Sequence, residues 1–192
     1  TALSSRKVLE EKVAALLGAA DPGEIVFTSG GTEADNTAVI GAAFAHREKG
    51  RHLITSAVEH HAVLHVCEYL EKFHGFQVTY LPVDREGRVS PDDLCRALRP
   101  ETLLVSIMAS NNEIGTIEPI QALGEICRNA GVLFHTDAVQ SAGKVPLSLK
   151  DWPVDLAAIS GHKLYGPKGI GALYIRRGVQ LHALLHGGAH EK

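Results

Sequence analysis

Apolar positions recur along the chain in short blocks whose spacing switches between helical and strand-like. Val8, Leu9, Val13, Leu16 and Leu17 make a helical stripe, with Gly18 placed to cap it. Ile25-Val26-Phe27-Thr28 is a β-branched and aromatic run that ends at Ser29-Gly30-Gly31, and the pattern then predicts a helix over 32–47, closed by Gly50. A strand over 52–56, a helical stretch through Val63, Val66, Cys67 and Leu70, and a strand over 78–81 follow. Ser90 is set to cap a short helix over 91–98, with Pro91 at its first position. The remainder predicts a strand over 103–108, a helix over 119–129 ended by Gly131, and strands over 132–136, 156–159 and 171–175. Short apolar strands alternating with helices predict an α/β layer with a mostly parallel sheet. In such sheets ligands bind beyond the carboxyl ends of the strands. The polar clusters Ser29-Gly30-Gly31-Thr32, Glu59-His60-His61, Asn111-Asn112-Glu113, Asp137 and Ser160-Gly161-His162-Lys163 all fall at those ends, and so predict one shared rim.

Composition narrows the function classes without choosing among them. A chain of 192 residues fits one domain, and neither a repeat nor a linker divides it. The 45% hydrophobic and 21% charged content is that of an ordinary globular protein. A net charge of −3, evenly spread, leaves no footprint for nucleic acid. The longest apolar stretches, 13–20 and 38–45, are too short to cross a membrane, and the N-terminus has no secretory signal. The chain also opens on Thr1 rather than methionine, which suggests that it begins inside a longer product. Cys67, Cys95 and Cys127 are widely spaced and odd in number, as expected in a reducing cytoplasm. Cys67 and Cys127 read as helix core, and Cys95 as partly buried. His61 with His65, and His186 with His190, have i, i+4 spacing, but nothing completes a zinc site, so no metal is expected.

The rim residues suggest a definite chemistry. Lys163 follows a buried strand, and a lysine held in a partly desolvated pocket can form an imine with an aldehyde. The glycine turn before Thr32 offers free N–H groups and a helix dipole to a phosphate, with the Thr32 hydroxyl beside them and Ser160 and His162 as further donors. Asp137, at a strand end, suits a protonated ring nitrogen, although an N-cap role is the plainer alternative. Gln140 and Asn112 can donate to a phenolate oxygen, Asn112 also to a substrate carboxylate. His60 can stack on a flat ring and move protons near neutral pH. An imine former, a phosphate cradle, a ring-nitrogen carboxylate, a stacking base and an oxygen donor are together what pyridoxal phosphate requires.

Five ordered motifs resemble the cysteine desulfurase family: Ser-Gly-Gly-Thr-Glu-Ala-Asp-Asn at 29–36, Val-Glu-His-His-Ala-Val at 58–63, Asn-Asn-Glu-Ile-Gly at 111–115, His-Thr-Asp-Ala-Val-Gln-Ser at 135–141, and Ser-Gly-His-Lys-Leu-Tyr-Gly-Pro-Lys-Gly-Ile-Gly-Ala-Leu-Tyr at 160–174. The resemblance implies a three-layer αβα fold like the large domain of fold-type I pyridoxal phosphate transferases, spanning 1–192. It implies Lys163 as the imine-forming amine and later proton shuttle, Asp137 on the pyridine nitrogen, His60 over the ring and Gln140 at the phenolate oxygen. Asn112 would lie near that oxygen and the substrate, while Gly31, Thr32, Ser160 and His162 hold the phosphate. The implied reaction takes sulfur from L-cysteine, leaving alanine and an enzyme persulfide, within a homodimer that serves a sulfur-acceptor or scaffold protein. The family's persulfide cysteine lies on a loop well downstream of the lysine, and none of the three cysteines stands there. The chain therefore resembles a large domain lacking the N-terminal segment and the small domain, and is expected to bind cofactor but turn over cysteine poorly. Selenocysteine lyase, another class V aminotransferase and a non-catalytic scaffold domain remain as alternatives.

Overall fold

Along each buried strand, neighbouring residues face opposite sides, and both sides are apolar. Leu53, Leu104, Leu156, Ala158 and Leu173 join one buried cluster, while Ile54, Val105, Ala157, Ile159, Ala172 and Tyr174 join another. Sequences of this kind need a helical layer on each face. The computed structural model describes residues 2–187 and supplies both layers.

The elements run α1 (Ala2–Leu17), β1 (Ile25–Thr28), α2 (Gly31–His46), β2 (His52–Ser56), α3 (His61–His74), β3 (Gln77–Leu81), α4 (Pro91–Ala97), β4 (Thr102–Ser106), α5 (Ile120–Ala130), β5 (Leu133–Asp137), β6 (Leu156–Ser160) and β7 (Gly171–Ile175). Two short 3₁₀ turns, Pro22–Glu24 and Gly161–Leu164, complete them. The sheet order is β1-β7-β6-β5-β4-β2-β3, and only β7 runs antiparallel to its neighbours. Helices α2 and α3 cover one face, and α1, α4 and α5 the other. This is the expected three-layer αβα arrangement with a mostly parallel sheet.

The strand and helix blocks predicted from the pattern all form, with ends displaced by one or two residues. The predicted strand over 103–108 leaves the regular ladder after Ser106. It still stays paired, because the N–H groups of Ile107 and Ala109 donate to His135 and Asp137 carbonyls at 3.1 and 2.8 Å. The helix predicted from the stripe over 8–17 forms as α1, with Val13, Ala14 and Leu17 against the sheet layer and Val8, Leu9 and Leu16 exposed. One expectation needs correction. Cys95 is exposed rather than partly buried, because Leu94 takes the inward position on α4 and the next residue is rotated off that face. Burial pushes the Cys67 and Cys127 thiols up to about 12. A disulfide-exchange reagent at neutral pH is therefore expected to modify one thiol per native chain, at Cys95, and three only after unfolding. Fast reaction of a second native thiol would contradict this burial.

Because β1, β2, β4, β5 and β6 share one direction, their carboxyl ends form a single rim. The reversed β7 starts there, at Gly171, between Thr28 and Ser160. A Cβ on Gly171 would lie 2.7 Å from the Gly30 backbone and from the Ile159 carbonyl oxygen, so only glycine lets the three strand ends close up. Among the described residues, no helix is long and apolar enough to cross a membrane.

Candidate active site

The rim encloses a cavity of about 340 Å³. Gly31, Thr32, His60, Asn112, Asp137, Gln140, Ser160, His162 and Lys163, the nine residues singled out from the sequence, all line it. Asp35, Met108 and Val139 line it too and were not singled out. Asp35 left a signal, since an acid among Ala34, Ala38 and Val39 on a buried helical stripe is anomalous. Met108, the chain's one methionine, and Val139 follow strand ends and gave no such sign.

The start of α2 forms one wall. Gly30 precedes it without any side-chain cap, so the first-turn N–H groups face the rim unpaired by a side chain. A Cβ on Gly31 would come within 2.8 Å of Val139 Cγ2, filling space that the glycine leaves open at the helix end. Ser160, at the end of β6, is buried, and its Oγ lies 2.8 Å from His162 Nδ1. When the imidazole donates to Ser160, the serine proton is released toward the cavity.

Lys163 rides on the 3₁₀ turn Gly161–Leu164, half-buried, and its Nζ has no hydrogen-bond or ion-pair partner among the described residues. That turn ends at Tyr165, a non-glycine residue at φ 60° whose N–H closes on the Gly161 carbonyl. Such a conformation is costly for a bulky residue and is seen where surrounding structure imposes it.

On the opposite wall, His60 caps α3, its Nδ1 accepting from Ala62 N–H at 3.1 Å. The proton of the neutral ring therefore sits on Nε2. Asn111 is buried and shapes the loop: its Oδ1 accepts from the Glu113 and Ile114 N–H groups, while its Nδ2 donates to the Val58 carbonyl. Asn112 is thereby presented at the cavity. Gln140 accepts from Lys144 Nζ at 3.0 Å through Oε1, which leaves its amide N–H groups to donate.

The floor is acidic and largely buried. Asp137 is buried at the end of β5, and its Oδ1 accepts from Val139 N–H at 2.9 Å; this is a turn contact rather than the helix N-cap left open as an alternative, since no helix follows β5 there. Its Oδ2 is left for a donor from the cavity. Burial raises its pKa, partly offset by that N–H and by His60. Beside it, burial and the Asp137 and Glu59 carboxylates hold the Asp35 carboxyl well above the usual range. Glu59, before His60, is likewise pushed up to about 8 by burial. No group of three or more histidine, cysteine or acidic side chains among the described residues is arranged to hold a metal. Of the metal-capable pairs considered, His61 and His65 lie with ring centroids 5.0 Å apart, and His190 falls outside the described residues, as does the end of the stretch 186–191.

Comparison with known proteins gives this geometry a context. The family model described as Aminotransferase class-V matches residues 4–192. A cysteine desulfurase IscS of Dictyoglomus turgidum is 60% identical over 181 residues, covering 94% of this chain and 45% of the relative. One from Methanosarcina thermophila is 59% identical over 182 residues, covering 95% and 45%. A solved structure described as SspA in complex with cysteine superposes with a TM-score of 0.94 at 45% identity, over 99% of this chain and 55% of that one. The chain thus spans about half the length of the relatives it matches.

Proposed function

Since the chain belongs to the class-V aminotransferase family, we propose that it is the cofactor-binding large domain of a pyridoxal phosphate-dependent cysteine desulfurase, acting on L-cysteine and passing the sulfur to an acceptor protein. The observation that carries the reading is the convergence of an unpaired lysine amine, a buried carboxylate with a free oxygen and an open helix N-terminus on one cavity. The residues fit the group. The space left by Gly31 and the uncapped α2 start suit a phosphate, and Asp137, with Oδ2 free toward the cavity, would accept from a protonated ring nitrogen.

Pyridoxal phosphate supplies an aldehyde carbon and a ring that takes up electrons from the bond being broken. The protein supplies the rest. The first-turn N–H groups of α2, Thr32, Ser160 and His162 hold the phosphate, and Asp137 keeps the proton on the ring nitrogen. Gln140 donates to the phenolate oxygen, and Asn112 to that oxygen or to the substrate carboxylate. His60, with its proton on Nε2, would stand over the ring and exchange protons with the substrate. Lys163 Nζ would bind the aldehyde carbon covalently and, as a free amine, would carry a proton between substrate atoms. None of the three cysteines lines the cavity, so none is assigned the persulfide. The same reading carries a homodimer, and a cytoplasmic location that accords with three unpaired thiols.

Titration with pyridoxal phosphate is expected to produce the yellow band of an imine. Borohydride reduction and peptide mapping should then put the adduct on Lys163. An adduct scattered over surface lysines, or no band at all, would overturn the reading.

A further inference from the structure

One acid in the cavity floor has no part in cofactor binding or proton transfer as assigned to the other residues. Asp35 is 1% exposed, and its Oδ1 has no hydrogen-bond partner. The nearest orphaned atom is Nε2 of His135, fully buried and 3.5 Å away. The other nitrogen of that ring is engaged, Nδ1 lying 2.8 Å from Ser106 Oγ. The placement follows from strand alternation. Leu133 packs toward the α2 and α3 layer, so His135 and Asp137, two and four residues on, face the same side of β5. Asp35 descends onto that side from α2, and Ser106 reaches His135 from its register partner on β4.

Three protonation patterns are open to this pair, and in one of them an ionised Asp35 accepts from Nε2–H of a neutral imidazole, which leaves an uncompensated buried charge beside two other carboxylates. An ionised Asp35 facing an imidazolium would bury two charges without the further donors that such a pair needs. The other groups facing Asp35 are the carboxylates Asp137 and Glu59, which would repel it. A protonated Asp35 facing a neutral imidazole costs neither, and a sub-ångström shift turns 3.5 Å into a hydrogen bond.

The geometry points to Asp35 as a positioning residue: it carries a proton, donates it to His135 Nε2, and so turns Nδ1–H toward Ser106 and leaves Asp137 as the ionised carboxylate facing the ring nitrogen. The pair closes the floor behind Asp137 without adding a charge to it. The assignment rests on the proposed cofactor for its purpose, but not for its chemistry, and the two fail separately.

The first measurement uses the protein without cofactor, labelled with ¹⁵N in histidine and ¹³C in aspartate carboxyls. Across about pH 5 to 8, His135 is expected to carry its proton on Nδ1, with the Asp35 carbon at the shift of a protonated acid. A proton on Nε2, or an imidazolium, would overturn the assignment even if pyridoxal phosphate binds. The second measurement titrates variants with pyridoxal phosphate labelled with ¹⁵N in the ring. Asp35→Asn, whose amide can donate to His135 as the acid does, should rescue affinity to within about twofold and keep the ring nitrogen protonated. Asp35→Leu, which offers no donor, should weaken binding by roughly tenfold, the effect of stranding one buried imidazole nitrogen. If Asp35→Asn instead loses affinity as Asp35→Leu does, or leaves the ring nitrogen neutral, Asp35 acts through a negative charge and the assignment is wrong. Failure of all forms to bind pyridoxal phosphate would overturn the cofactor reading and, with it, the purpose assigned to Asp35.

Discussion

Replacing Lys163 with alanine abolishes covalent capture of pyridoxal phosphate: the titrated protein keeps the spectrum of free cofactor, and reduction leaves no adduct in the segment 161–169. Among the described residues, Lys163 is the sole lysine that lines the cavity. The neighbouring amines are placed elsewhere, Lys144 on Gln140 Oε1 and Lys168 in an adjoining pocket with Gly169 and Glu33. Lys163→Arg is expected to lose the imine just as completely, because a guanidinium does not give up its proton to become a nucleophile. The arginine variant should nonetheless hold the cofactor noncovalently better than the alanine variant, since a cation remains beside an anionic ligand. Loss of the covalent bond should weaken retention by at least about tenfold in both. An imine band persisting in Lys163→Ala, mapped to Lys144 or Lys168, would remove Lys163 from its assigned role.

Glu59→Gln is expected to stabilise the protein increasingly as pH rises from about 4.5 to about 8. The Glu59 carboxyl is buried, with Oε1 accepting from Ser56 Oγ at 2.6 Å and from Met108 N–H at 3.0 Å, while Oε2 has no partner. The charged groups that act on it are Asp137 and Glu118, both of its own sign. Burial holds its pKa at about 8 against 4.5 for the free group. Between those values the folded protein keeps a proton that the unfolded chain releases. Stability that is fully present below 4.5 is therefore lost as pH rises through 8, at up to about 1.4 kcal/mol per pH unit. Glutamine keeps both hydrogen bonds through its carbonyl oxygen and does not titrate. The variant-minus-native difference in unfolding free energy should climb through that window and level off on either side. His135 titrates with the opposite sign. Burial holds its pKa at about 3, below the ordinary 6.5, so its contribution is lost as pH falls from 6.5 to 3. That term masks Glu59 in the native profile below pH 6.5, yet cancels in the difference. Urea unfolding of both proteins at several pH values reads the slope, and a flat difference would mean that Glu59 is ionised when folded.

Much of the fold was legible because its strands are short, apolar and punctuated. Ile25–Thr28 ends at two glycines, Pro91 follows a capping serine, and Gly131 stops α5, so local chemistry set each boundary to within a residue or two. The rest was decided by an element's surroundings, not its own pattern. The stripe on α1 forms the helix it predicts, yet the sheet layer alone decided that Val13 and Leu17 are covered while Val8, Leu9 and Leu16 are not. Cys95 differs from buried Leu94 only by one step of helical rotation, which no composition rule resolves. The 3₁₀ turn that carries Lys163, with Tyr165 held at φ 60°, left no trace in a sequence that simply reads as a loop.

For the site, the sequence by itself determined which chemical groups stand at the strand ends, because strand direction and the glycine turns force polar residues to the rim. It also carried the family resemblance, through five motifs in order. Tertiary structure alone decided that these nine residues face one cavity, since that depends on six strands running in parallel and on β7 being reversed between β1 and β6. It also decided the protonation of the floor. Asp35, Glu59 and Asp137 are ordinary acids in the sequence, separated by 24 or more positions. Packed together and nearly buried, they resist being charged all at once, and their proton inventory is set by neighbours that no linear reading brings into contact.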